Sequence, residues 1–247
     1  MPKNQINGFE QAQQSITAYL CENSRLKHLP LILQEHIAYA NPYKITHAHG
    51  VFIEQSGKQR SSSSSKWKKI KSSQNIEYPR IEFTQKIEDI FSSIQTGIEN
   101  NNSFFTKKSF GINKIKEKNS DELLQSCVLF YLSSLVWMPW AFASEHVLLK
   151  ENNQYSVSIA LAHYPDIWGE MNFSEEARIL SFNSDRYQLL NNNYALVPWR
   201  VEFGKYNIKK SYKLPTQVNC FWGSNEEEYM YLSLEKVLRK WKSLYPK

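Results

Sequence analysis

The chain has 247 residues, with 30 basic and 24 acidic side chains, a formal net charge of +6 and a pI of about 9.0. Hydrophobic residues make up 41% and charged residues 22%, which are ordinary globular values and exclude a largely disordered chain. With 8 glycines and neither a GxGxxG nor a GxxxxGK[ST] pattern, the sequence disfavours the two nucleotide-binding classes that depend on such loops.

The chain opens with two predicted helices between about residues 9 and 40, separated by Pro30, which stops the first and opens the second. After Asn41-Pro42, strict alternation predicts a strand whose one face presents two histidines and three β-branched residues. These residues are Ile45, His47, His49, Val51 and Ile53.

A basic, serine-rich segment follows, which we predict to be a mobile loop at about 57–74 because a run of five serines favours mobility over packing. Lysines that neutralise phosphates, beside an aromatic ring that stacks on a base, would suit nucleic acid. The alternative is a solvated loop that keeps a strand end soluble. The candidate nucleic-acid-binding residues are Lys58, Arg60, Lys66, Trp67, Lys68, Lys69 and Lys71.

The next segments are a predicted edge strand and a predicted helix. Residues 75–83 favour a strand, with Pro79 indicating an edge position. From Thr84 onward, apolar residues recur at three- and four-residue spacing, which predicts a helix capped by Thr84. Its apolar positions are Ile87, Ile90, Phe91, Ile94 and Ile98.

A stretch of 21 residues without a charge, Leu123–Ala143, is long enough to span a bilayer. Internal polar residues and Pro139 near its end favour instead a buried central helix from about Asp121 to Ala143, with Ser120 as its cap. We therefore expect no integral membrane span.

Strands and a final helix are predicted for the rest of the chain. A hairpin is expected over 145–163, then a short helix near 174–180, a polar stretch over 181–193 and up to three strands between 194 and 222. Ser224 and Glu227 form a capping box before an apolar stripe at helical spacing, which predicts a capped amphipathic C-terminal helix. The stripe consists of Met230, Leu234, Val237, Leu238, Trp241 and Tyr245.

The two histidines of the first strand are the most specific candidates for chemistry. His47 and His49 lie side by side, as two ligands of a tetrahedral metal site do, and His163 is the candidate third ligand, with Asp166 and Glu170 as substitutes. The pair also suits general acid-base catalysis. The alternative is a structural role in the core.

The cysteines and the N-terminus bear on the compartment. Cys21, Cys127 and Cys220 are too far apart for a CxxC pair, and an odd, sparse count favours a reducing compartment. The first 14 residues lack the apolar stretch of a secretory signal. We therefore expect a cytoplasmic protein.

Together these patterns predict one α+β domain over 1–247: a mostly antiparallel sheet, a long buried helix and a capped amphipathic C-terminal helix. The leading functional hypothesis is a non-enzymatic nucleic-acid-binding protein, as a subunit of a larger assembly, acting through lysine-rich loops. The alternatives are a metal-dependent hydrolase using His47 and His49, and a protein-interaction module of the immunity or adaptor kind whose aromatic residues contact a protein partner. The sequence specifies no cofactor.

Overall fold

A computed structural model of the chain describes residues 26–41, 48–78, 81–190, 193–207, 212–224 and 227–243. Within them one sheet of thirteen strands dominates, and every adjacent pair of strands is antiparallel. The strands are β1 (Ala48–Gln59), β2 (Lys68–Glu77), β3 (Glu82–Glu88), β4 (Ser92–Glu99), β5 (Asn102–Ser109), β6 (Ile112–Lys118), β7 (Val147–Asn153), β8 (Ser156–Leu161), β9 (Tyr164–Phe173), β10 (Ile179–Leu190), β11 (Asn193–Gly204), β12 (Gln217–Trp222) and β13 (Tyr229–Ser243).

The sheet consists of two meanders joined through the last strand. Its order is β6-β5-β4-β3-β2-β1-β13-β12-β11-β10-β9-β8-β7, so β13 lies between β1 and β12. The sheet curls into a half-barrel. Because side chains alternate between the two faces of a strand, one set lines the concave side and the other points outward. The antiparallel sheet predicted from the sequence is confirmed.

Helix α2 (Asp121–Ser134) covers the concave face. The shorter helix α1 (Leu31–Ala40) packs against the 3₁₀ turn at residues 139–143, beyond the end of α2. Two 3₁₀ turns, Leu135–Trp137 and Pro139–Ala143, continue α2. Helix α2 contacts β4 and β5 in one arm of the sheet and β8, β9 and β10 in the other. It therefore fills the half-barrel as a core element.

The start of α2 agrees with the sequence prediction. Ser120 caps the helix, its Oγ accepting a hydrogen bond from Leu123 N at 3.3 Å, and Asp121 and Glu122 occupy the first turn, where the helix dipole favours acids. The helix itself ends at Ser134, earlier than predicted. No helix in the described part of the chain is long and apolar enough to cross a membrane.

The predicted C-terminal helix is wrong, because Tyr229–Ser243 forms strand β13. This strand is bonded to β1 on one side and to β12 on the other. Two sets of inter-strand hydrogen bonds outweigh local helix propensity, which is a weak preference that tertiary context overrides. Leu232 and Leu234 are both buried in this strand, and Ser233 between them is buried as well.

The helix predicted from Thr84 to Ile98 is also wrong, since β3 and β4 form a hairpin there. The Asp89 carboxylate accepts hydrogen bonds from Phe91 N at 2.7 Å and Ser92 N at 2.6 Å, which stabilises a turn in place of a helix. Ile90 and Phe91, expected on the buried face of the helix, are exposed at this turn.

Other predicted elements have mixed outcomes. The hairpin of residues 145–163 is confirmed as β7 and β8. The short helix expected near 174–180 is wrong, because a turn there leads into β10. This strand occupies most of the stretch that was described from the sequence only as polar. The first of the two N-terminal helices lies almost entirely outside the described residues, as do residues 42–47 of the histidine strand.

Candidate ligand-binding cavity

A cavity of about 380 Å³ lies between the concave face of the sheet and the N-terminal half of α2. Strands β3–β6 contribute to one wall and β10–β13 to the other. Its lining consists of Gln59, Arg60, Ser61, Gln85, Ile87, Ile94, Thr96, Phe105, Lys107, Ile115, Leu123, Ser126, Phe130, Arg186, Tyr187, Gln188, Leu189, Tyr194, Trp222, Tyr229, Tyr231 and Leu232.

One wall of the cavity is mainly apolar because of strand alternation. Ile87 of β3 pairs with Ile94 of β4, and Phe105 and Ile115 extend the same face across β5 and β6. Leu123 of α2 faces them. Cavities of this size and character are typical of small-ligand sites, which are mostly apolar with a few polar groups that fix orientation.

Arg186 of β10 is the charged group at the buried end of the cavity. Its guanidinium carbon lies 4.0 Å from the ring centre of Phe130, 4.8 Å from that of Trp199 and 5.2 Å from that of Trp222, and its Nε donates to the Ser126 carbonyl at 3.3 Å. Burial lowers the pKa of Arg186 below its ordinary value, yet an arginine remains charged in proteins.

No carboxylate in the described part of the chain balances this charge. Among the described residues Arg186 forms no ion pair, and the cavity lining contains three cations, Arg60, Lys107 and Arg186, with no Asp or Glu. A buried charge is costly unless a partner compensates it. The cavity therefore has a positive potential that an anionic group would complement.

The carboxylate of Glu117, near the cavity, is engaged elsewhere. It accepts hydrogen bonds from the Tyr194 hydroxyl at 2.7 Å and from the Ser120 hydroxyl at 2.5 Å. This contact joins edge strand β6 to β11 in the opposite arm of the sheet. Burial and the neighbouring Glu117 carboxylate raise the pKa of Tyr194, so its proton stays in place and the contact closes one side of the cavity.

A second, larger groove of about 1010 Å³ lies on the outward face, where Lys58, Lys69 and Lys71 stand near Glu88 and Glu235. It is open and of mixed charge. Glu235 already accepts from Lys205 Nζ at 3.2 Å. Since its charges are partly paired and exposed, this groove fits a specific ligand less well than the concave cavity does.

The basic segment belongs mostly to the β1–β2 hairpin, with only residues 60–67 between the strands. Lys58 Nζ and the guanidinium carbon of Arg60 each lie 4.8 Å from the ring centre of Trp67, so cations of the same hairpin already cover this ring. Lys66, Lys68, Lys69 and Lys71 are exposed. Nucleic-acid binding by this segment stays a prediction.

The histidines are distributed over separate parts of the fold. His47 lies outside the described residues, His49 stands in β1 with a buried Nδ1 that has no hydrogen-bond partner, and His163 is exposed in the β8–β9 turn against the Tyr164 ring. Within the described residues no three His, Cys, Asp or Glu side chains are grouped to hold a metal. The metal site with His47 therefore stays a prediction.

Sequence reasoning missed Arg186 because the stretch 181–193 was described only as polar, with no strand predicted there. A signal was present: Phe182 and Arg186 fall on the same face of an alternating strand, and both are buried. An arginine at an inward strand position indicates a paired or ligand-binding charge. What the sequence could not reveal is that the cavity lining contributed by the described residues contains no acid opposite it.

Comparisons with known proteins show which family the chain matches. A model described as "Family of unknown function (DUF6544)" matches residues 20–234. No curated protein matches the chain. A crystal structure of a LolA superfamily protein from Nitrosomonas europaea is similar at 8% identity, with a TM-score of 0.48, over 87% of this chain and 93% of that one. A similarity of this size establishes neither the fold nor the function of the chain.

Proposed function

We propose that this protein, which belongs to the DUF6544 family, binds a small anionic amphiphile in the concave cavity. The ligand class is an apolar chain carrying one carboxylate or phosphate group. The observation that carries the proposal is Arg186, a buried guanidinium in a cavity whose described lining contains no acid.

The positions of the cations support an oriented ligand. Arg186 stands at the buried end, whereas Lys107 is exposed and Arg60 is half-buried. The Arg60 guanidinium is held by its Nε donating to the Met230 carbonyl at 2.6 Å and its Nη1 to the Ser63 carbonyl at 2.8 Å. An acidic group bound at Arg186 would gain a charge-assisted hydrogen bond in a site with little water, where such bonds are strongest.

The apolar wall supports the rest of the ligand. Ile87, Ile94, Phe105 and Leu123 offer apolar contact area, with Gln85 and Thr96 as polar neighbours on the same strands. Burial of an alkyl chain contributes about 0.8 kcal/mol for each methylene removed from water. An apolar chain thus supplies affinity, and the guanidinium supplies selectivity for a negative head group.

The test is a comparison of three ligands with the same twelve-carbon chain: dodecanoate, dodecanol and dodecylamine. Calorimetry with the purified full chain should rank dodecanoate first by at least about tenfold over dodecanol, which corresponds to about 1.4 kcal/mol. Dodecylamine should bind most weakly, because its ammonium would face Arg186.

Arg186→Met should abolish the preference for dodecanoate over dodecanol while leaving dodecanol binding in place. Arg200→Met is the matched control, since Arg200 also lies over an aromatic ring, that of Phe221 at 4.2 Å, but forms an ion pair with Glu228 at 2.7 Å. That control should keep the preference. Equal affinity of the wild type for all three ligands, or no binding, would overturn the proposal.

A further inference from the structure

Two neighbouring hairpin turns expose an unusual amount of apolar surface. Ile90 and Phe91 of the β3–β4 turn are 90% and 60% exposed, and Phe110 and Ile112 at the β5–β6 turn are 75% and 62% exposed. The rings of Phe91 and Phe110 have centres 5.3 Å apart, and Phe110 N donates to the Phe91 carbonyl at 2.7 Å. The ring contact joins the two turns, and their four exposed side chains are hereafter called the apolar tip. Exposed apolar surface of this kind generally marks an interaction surface.

The backbone at Phe110 indicates that this side chain is present for a reason other than folding. Phe110 and Gly111 form a two-residue turn in which both residues have positive φ, +50° and +78°. The β4–β5 turn, at the opposite end of the strands, is also a two-residue turn with positive φ at both positions, and its residues are Asn100 and Asn101. Asparagine tolerates positive φ, whereas phenylalanine is strained there. The exposed ring is thus retained against a local conformational preference.

Basic residues surround the apolar tip. The β1–β2 loop lies at the same end of the strands as the apolar tip, because β1–β2, β3–β4 and β5–β6 are alternate hairpins of one meander. We call this end of the sheet the hairpin edge. Lys107, Lys108 and Lys114 flank the β5–β6 turn, are exposed, and form no ion pair among the described residues.

The acidic residues near the apolar tip, Glu88 and Asp89, already have partners within the fold. Glu88 pairs with Lys86 at 2.5 Å, and the Asp89 carboxylate accepts backbone and hydroxyl hydrogen bonds within its own turn. Lys68 of β2 also contributes to the electrostatic field at Asp89. Because the exposed lysines at the hairpin edge outnumber Glu88 and Asp89, its net charge is positive.

We propose that this edge docks on an anionic lipid surface, with the apolar tip inserted among the acyl chains and the lysines contacting the head groups. Exposed aliphatic and aromatic side chains within a ring of lysines have the chemistry of interfacial membrane binding. A nucleic acid would use the lysines but leave the aliphatic side chains of Ile90 and Ile112 without a partner. A lipid surface uses both features.

The docking surface also lies beside the candidate cavity. Ile87 and Ile94 flank the β3–β4 turn, Lys107 and Ile115 flank the β5–β6 turn, and all four residues line the cavity. An amphiphile leaving a membrane at this edge would meet the apolar wall first. The docking itself does not depend on the cavity, and vesicle binding is measured without any soluble ligand.

The test uses sedimentation with vesicles of phosphatidylcholine alone and with vesicles that also contain phosphatidylglycerol. The wild-type full chain should bind the anionic vesicles at least tenfold more tightly, and the double variant Phe91→Ser/Phe110→Asn should lose at least tenfold of that affinity. Because asparagine fits the φ of residue 110, the hairpin should remain folded in this variant, which its melting temperature verifies. Leu180→Ser, a change at an exposed apolar residue of β10, is the control and should bind as the wild type does.

A charge variant separates the two contributions. Lys68→Gln/Lys108→Gln/Lys114→Gln should reduce binding to anionic vesicles at least tenfold and make the residual binding less sensitive to salt. The proposal is overturned if the wild type does not sediment with anionic vesicles at low salt, or if the Phe91/Phe110 variant binds as tightly as the wild type. Binding to an oligonucleotide in the absence of vesicle binding would likewise overturn it in favour of nucleic acid.

Discussion

The two ends of the apolar segment 121–143 are packed in different ways. At the C-terminal end the 3₁₀ turns are enclosed by side chains from α1 and the sheet, and Leu135, Trp137 and Phe142 are fully buried. At the N-terminal end the same kind of sequence borders a cavity that contains Arg186. An apolar sequence thus specifies burial, but whether the space around it is filled depends on what the opposing strands contribute.

His36 shows how completely the C-terminal end is closed. Its ring lies edge-on to Phe142 and Phe173, and Nδ1–H donates to the Ala177 carbonyl at 2.8 Å. Nε2 is buried without a partner, and burial lowers the pKa of His36 to about 4. Here a polar side chain is kept neutral within the core, whereas Arg186 keeps its charge beside the cavity.

The largest expected effect comes from a matched pair of leucine truncations. Leu135→Ala at the closed end should destabilise the protein by about 4 kcal/mol, because it leaves a new void among fully packed atoms. Leu123→Ala at the cavity should cost about 2 kcal/mol, since one side of Leu123 already has few packing partners. Denaturant unfolding of both variants measures the difference, and equal losses would mean that the cavity end is packed as tightly as the other.

The second prediction concerns the pH dependence of stability at the closed end. The folded-state pKa of His36 is lowered from 6.5 to about 4, so the unfolded state binds the proton first as pH falls. Stability is therefore fully present above about pH 6.5 and is lost as pH falls toward 4, by about 3 kcal/mol in total. The free energy of unfolding of His36→Gln should lack this component, and parallel curves for the two proteins across that range would contradict the assignment.

At the N-terminal end, beside the cavity, removing the charge of Arg186 should not lower the stability of the fold. Arg186→Met replaces a buried guanidinium that has no carboxylate partner with an apolar side chain of similar length, so we expect stability to be unchanged or higher by up to about 2 kcal/mol. Contacts with Phe130 and Trp199 can be kept by the methionine thioether. Thermal unfolding checks this expectation, and a melting temperature well below that of the wild type would show that Arg186 is a structural residue.

The sequence could predict the helix but not the curvature of the sheet around it. The Ser120 cap and the uncharged stretch identify α2 by local signals. The β3–β4 hairpin has apolar residues that happen to fall at helical spacing, and the deciding signal, the turn-forming Asp89, carries little weight beside five apolar matches. Strand β13 depends on pairing with β1, more than 170 residues away in sequence, and no local pattern encodes such a contact.

The candidate site was harder still to predict. Its cations Arg60, Lys107 and Arg186 come from the β1–β2 loop, β5 and β10 respectively, and only the curl of the sheet brings them to one cavity. Arg60 was singled out from the sequence for its basic neighbours, yet of the seven residues singled out in that segment it alone lines the cavity. The sequence thus identified the basic residues, but only the topology of the sheet determined which of them face the cavity.

The smallest expected difference involves two serines of α2 that make different hydrogen bonds. Ser126 Oγ donates to the Tyr187 carbonyl of β10 at 2.9 Å, beside the cavity, whereas Ser134 Oγ donates at 2.8 Å to the Phe130 carbonyl one turn back in its own helix. Ser126→Ala should cost about 1 kcal/mol, because it removes a tertiary hydrogen bond made by a buried serine. Ser134→Ala should change stability by less than about 0.5 kcal/mol, since a bond back to the preceding turn slightly opposes the helix and alanine favours it. Denaturant midpoints of the two variants decide the matter. A loss for Ser134→Ala as large as that for Ser126→Ala would mean that the closed end also depends on polar contacts, and the contrast between a packed end and a hydrogen-bonded end would fail.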